Sequence, residues 1–160
     1  MAASDARWNQ GAVSLLLDFD SLPRSHRNLV RLAFCHEGYR ALFGDQWQAM
    51  AREAVAALRM EAGRHPDDSS LQALVGELVI RDGDFRNWWG AASVSAPNLR
   101  RKIYRHPLVG ELALDAHMLA VEGQLGLTLV TYTAQPGSRS EDALRCLLQW
   151  NGEPGEGPPG

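Results

Sequence analysis

The spacing of apolar positions divides the chain into a helical first part and a strand-rich final third. Trp47, Met50, Ala51, Ala54, Val55 and Leu58 recur at helical intervals, which predicts an amphipathic helix stopped by Gly63 and Pro66. Leu71, Leu74, Val75, Leu78 and Val79 predict a second helix, opening at "DDSSLQ", where Ser69 and Gln72 have capping-box spacing. Upstream, Asn9 stands at a capping position before the apolar run of "NQGAVSLLLDFDSL". The segment after Pro23 places Leu29, Leu32 and Ala33 on one helical face. "DGDF" breaks the second long helix, and Phe85, Trp88 and Trp89 predict a short aromatic-rich one.

After "SAPN" the period changes to two. "RRKIYRH" sets Lys102, Tyr104 and His106 against Arg101, Ile103 and Arg105. The next run sets Leu112, Leu114, Ala116 and Met118 against Glu111, Ala113, Asp115 and His117. "LGLTLVTYTA" sets Leu125, Leu127 and Leu129 against Thr128, Val130 and Tyr132. The connections are too short for crossovers, so three strands of an antiparallel meander are predicted. "QPGSRSEDALRCLL" turns at Pro136-Gly137 and enters a last helix capped by Ser138 or Ser140. The fold class is therefore α+β: a helical half packed on one face of a small antiparallel sheet, with a C-terminal helix. The Pro/Gly-rich residues 150–160 read as a disordered tail, leaving 1–149 as one domain.

Composition narrows the function classes. At 160 residues, 45% hydrophobic and 22% charged, the chain has the balance of a soluble domain with one core. A net charge of −3 and a pI near 5.9 give no basic footprint, and no helix-turn-helix pattern is visible. Direct DNA binding by this chain alone is not expected. Apolar runs such as Val13–Leu17 are too short for a bilayer, and the N-terminus lacks a secretory pattern. Neither membrane association nor export is expected, and the location is read as cytoplasmic. Cys35 and Cys146 stand far apart and read as small buried hydrophobes.

Tyr104–Leu119 collects four candidate ligands or proton carriers: His106, Glu111, Asp115 and His117. Alternation puts the last three on one face opposite Leu112 and Leu114, so they read as a wet strand face rather than a metal site. His106 precedes Pro107 at a strand end; it reads as a tie for the turn, with a catalytic base as the alternative. Nucleophile elbow, P-loop, dinucleotide and H-E-x-x-H patterns are absent, so no enzyme activity, metal or cofactor is assigned. Arg24, Arg27 and Arg31 form either a solvated stripe or the source of an inward arginine for an anionic head group. Phe85, Trp88 and Trp89 are either core or the lining of an apolar cavity.

Ordered motifs add a resemblance. "RWN", "RNLVRLAF", "ALFGD" with Trp47, "REAVAALR", "GRHPDD", "LVGEL", Phe85 with Trp89, "HPLVGELALD" and "YTAQPGSRSEDAL" cover nearly the whole chain before the tail. In this order the chain resembles the ligand-binding domain of MmyB-like transcription regulators, bacterial proteins with a Cro/repressor-type helix-turn-helix. The resemblance implies a PAS-like sensor domain that binds a fatty acid or similar apolar small molecule. In relatives it follows the DNA-binding domain, and neither that domain nor a strand leading into Arg7–Asn9 has a counterpart here. The expectation is a sensing domain without its DNA-reading module, the first sheet strand missing. Locally, Gln46 is inserted between Asp45 and Trp47, and "GAASV" replaces a more polar stretch after Trp89.

From face and residue type, an acyl chain is expected against Phe34, Phe85 and Trp89 on the helices and Leu112, Leu114 and Leu129 on the strands. Arg31, with Asn28, is the expected partner of its carboxylate. Two other readings stand beside it: a homodimerisation module using the sheet's outer face or an unpaired edge, and an acyl-processing enzyme using His106.

Overall fold

The computed structural model describes residues 7–91, 101–120 and 128–150. Within them run α1 (Gln10–Leu15), α2 (Leu29–Cys35), α3 (Glu37–Ala41), α4 (Trp47–Arg64), α5 (Ser69–Arg81) and α6 (Gly83–Gly90). β1 (Arg101–His106), β2 (Gly110–Ala120) and β3 (Thr128–Ala134) follow, and α7 (Arg139–Trp150) closes the fold. This is the expected α+β arrangement, with a three-stranded antiparallel sheet in the order β1-β2-β3. The predicted tail lies outside the described residues, apart from Trp150, which ends α7.

Short polar side chains set the helix starts. Asn9 Oδ1 accepts from the Ala12 amide at 2.9 Å, Asn28 caps α2 and Asp82 caps α6 through the Phe85 amide. The α5 cap is Asp68 rather than Ser69: Asp68 Oδ1 accepts from the Ser70 and Leu71 amides. Gln72 reaches the Pro66 carbonyl instead of the cap. The segment after Pro23 is not one helix, because a 3-10 turn at Arg24–His26 precedes the Asn28 cap. In α4 the buried residues are Trp47, Met50, Ala51, Val55 and Leu58, the stripe read from the sequence except Ala54, which is half-buried at its margin.

Strand register decides which side chains meet the helices. Tyr104 pairs with Leu112, Lys102 with Leu114, and Leu114 with Ala134, so these share the inner face. Ala116 and Tyr132 continue that face, and Tyr104, Leu112 and Leu114 are fully buried. The outer face carries Arg101, Asp115 and Thr133 in one row, then His117 with Thr131 and Leu119 with Leu129. Gly110 turns β1 into β2 at φ +76°, a conformation that favours glycine.

Polar ties fix the sheet against the helices. His106 is buried; its Nδ1 accepts from the Leu108 amide, leaving Nε2–H to donate to the Ser14 carbonyl at 2.8 Å. The inserted Gln46 accepts from the Ile103 amide through Oε1, holding β1 beside the start of α4. Lys102 reaches Glu53 of α4 at 3.4 Å. At the other end, Ser138 caps α7, while Ser140 Oγ accepts from the Ala113 amide of β2. Both cysteines are free and exposed, a correction to the buried reading; the apolar face of α7 turns on Leu147, leaving neighbouring Cys146 outside.

Candidate functional site

Phe34 of α2, Trp47 of α4 and Phe85, Trp88 and Trp89 of α6 form one connected aromatic tier. Phe34 meets Phe85 edge-on, ring centroids 5.1 Å apart, and meets Trp47 in the same manner at 5.9 Å. Trp88 touches both Phe34 and Trp47, and the buried Trp47 indole donates to the Ala33 carbonyl at 2.7 Å. Trp89 continues the tier outward, stacked on Phe85 at 5.7 Å and 10° from parallel. Arg59 lies over Trp89 and donates to the carbonyls of Trp88, Trp89 and Ala91 at the end of α6.

Phe34, Phe85, Leu112 and Leu114 belong to a single buried core, so the structure joins four of the six apolar residues expected at a ligand. Trp89 is half-buried at its margin. Leu129 lies apart: its register partner is Leu119, on the face opposite Leu112 and Leu114, and it is 52% exposed. Tyr132 takes the inner position that alternation alone could not choose. Burial pushes the hydroxyls of Tyr39, Tyr104 and Tyr132 above the usual phenol range.

Asn28 and Arg31 are neighbours with separate structural duties. Asn28 Oδ1 accepts from the Arg31 amide, which starts α2. The Arg31 guanidinium donates to Glu77 of α5 and to the Ser25 carbonyl; the pair's side chains are only 16% and 21% exposed. Glu77 has a second partner in Arg81 at 3.3 Å. Among the other arginines of the stripe, Arg27 lies over Trp8 and donates to the Leu22 carbonyl.

On the outer sheet face Asp115 accepts from Arg101 at 3.3 Å, while Glu111 and His117 are exposed. Among the described residues, no three of His, Cys, Asp and Glu are grouped to hold a metal ion. No helix among them is long and apolar enough to cross a membrane.

A cleft of about 300 Å³ opens where the end of α4, the Pro66 turn, α5 and α6 meet. Ala62, Leu71, Val75 and Trp89 give it apolar walls, Gly76 leaves it room, and His65 and Gln72 are the polar residues lining it. Apart from Trp89, sequence reasoning missed these residues as a site. The available signal was a glycine within the helical pattern of "LVGEL".

The family model of the MmyB-like transcription regulator ligand binding domain matches residues 6–147. A comparison with curated proteins finds no match.

Proposed function

The chain belongs to the MmyB-like transcription regulator ligand binding domain family, and from that premise we propose that it senses a fatty acid or similarly apolar small molecule for a bacterial transcription regulator. The observation that carries the proposal is the aromatic tier of Phe34, Phe85 and Trp89, joined in one core to Leu112 and Leu114. An acyl chain seated against these residues gains about 0.8 kcal/mol per buried methylene, so affinity needs few polar contacts. Arg31 takes the carboxylate, with Asn28 fixing its backbone, and Glu77 keeps Arg81 when Arg31 leaves it.

Phe85, Leu112 and Leu114 are fully buried, so a chain lodged against them must displace the side chains that now cover them. Ligand-bound and free forms then differ in shape, and the difference in ligand affinity sets the shift between them. DNA recognition is assigned to a separate helix-turn-helix module, with the domain acting in the cytoplasm. No catalytic step is assigned.

The proposal is tested by thermal unfolding of delipidated protein with a series of medium- and long-chain fatty acids. The midpoint should rise with chain length, and the rise should shrink in Arg31→Gln. Absence of any rise across the series would remove the acyl-ligand reading.

A second reading is favoured by β3. Among the described residues it lies at one edge of the sheet, and Thr128–Ala134 carries neither charge nor proline, the features that usually protect an edge. Pairing with a second copy would give a continuous sheet across a homodimer. Sedimentation equilibrium decides this, and a monomer at every concentration rules it out.

A further inference from the structure

We propose that the cleft at Trp89 is a second binding site, specific for an uncharged apolar molecule and opened by Gly76. It shares only Trp89 with the acyl contacts proposed above and goes beyond them.

Gly76 carries the first half of the case. It lies inside α5, where glycine costs helix stability relative to alanine. Its φ is not positive, so no turn requires it. A Cβ built on it meets no atom within 4 Å, so no close packing requires it either. What the missing side chain does provide is space in the cleft. At about 300 Å³, that space holds roughly ten non-hydrogen atoms if each takes the ~30 Å³ share of a liquid water.

Charge carries the second half. No lysine or arginine lines the cleft. Arg59, the guanidinium over Trp89, turns both its Nη atoms to carbonyls at the end of α6. Arg64 and His65 both face Glu61, at 3.7 and 3.4 Å. A carboxylate in the cleft would find no lysine or arginine, and His65, the lining residue able to carry positive charge, already faces Glu61. Gln72 donates one of its two amide N–H groups to Pro66 and offers a carbonyl oxygen suited to a hydroxyl or amide donor.

Decanol and decanoate share a chain length and differ in the head group, so calorimetric titration of the full chain with each reads both halves. Decanol should bind saturably, about tenfold or more weakly in Gly76→Leu, and by an intermediate factor in Gly76→Ala. Any Gly76-dependent binding of decanoate should be at least about tenfold weaker than that of decanol. No saturable decanol binding overturns the proposal, as does equal binding by wild type and a Gly76→Leu variant of unchanged helix content. Gly76-dependent decanoate binding tighter than that of decanol also overturns it. If Gly76→Leu unfolds, Gly76→Ala carries the test, and an unchanged decanol affinity there is decisive against the site. Decanoate binding lost in Arg31→Gln but indifferent to Gly76 belongs to the acyl site, so the two proposals fail separately.

Discussion

Phe85 and Trp89 stand one turn apart on α6 with rings nearly parallel, yet one is sealed in the core and the other lines the cleft. Phe85→Ala leaves a cavity among Phe34 and its neighbours and should cost about 3–5 kcal/mol in urea denaturation. Trp89→Ala removes a larger ring already partly in water, and should cost less while removing decanol binding. The reverse order of stabilities would place the centre of the core at Trp89.

Glu77 sits between two arginines, so its loss and that of Arg31 are unequal. Glu77→Ala leaves the Arg31 guanidinium with the Ser25 carbonyl alone and should cost about 1–3 kcal/mol. Arg31→Gln should cost less, because Arg81 still faces Glu77. Denaturation of the two single variants and the double variant measures the coupling; additivity would mean the pair contributes nothing to stability.

Two glycines should respond to alanine with opposite signs. At Gly110 the positive φ puts a Cβ against the following carbonyl, and Gly110→Ala should lower stability by about 1–2 kcal/mol. At Gly76 the helix welcomes alanine and nothing obstructs it, so Gly76→Ala should raise stability by about 0.5–1 kcal/mol. Thermal midpoints moving the same way in both variants would refute this pairing.

Asp68 links α5 to pH. The hydrogen bond from the Ser70 side chain, with the Leu71 amide next, lowers its carboxyl from 3.8 to about 2. Because the folded value is depressed, the stabilisation is complete well above the unfolded value and disappears as pH falls through about 2. The midpoint difference between wild type and Asp68→Ala should be constant above about pH 5 and close towards about pH 2. A difference independent of pH would show that the carboxylate's charge is not what caps the helix.

Helices with an uninterrupted apolar stripe were legible in the sequence. The α4 pattern from Trp47 to Leu58 matches the buried set at every position but the half-buried Ala54, because nothing competes with burial along that face. Strand faces were only half legible. Period-two alternation separates Leu129 from Tyr132, but which of them faces inward depends on the register with β2, which alternation alone does not fix. The α5 cap shifted by one residue because Asp68, Ser69 and Ser70 all suit capping and backbone geometry chooses among them. The sequence suggests a ligand carboxylate for Arg31 and gives no sign of Glu77, which is distant in sequence and meets Arg31 only when α2 packs beside α5. The cleft joins residues of α4, the Pro66 turn, α5 and α6, so no single stretch of sequence displays it.

Native mass spectrometry of the purified chain, before and after incubation with fatty acids, tests the sensing function most directly. The prediction is a bound species heavier by one fatty acid, removed by organic extraction, restored by added acid and weakened in Arg31→Gln. A bare chain in the initial preparation that stays bare with every acid in the series would contradict it.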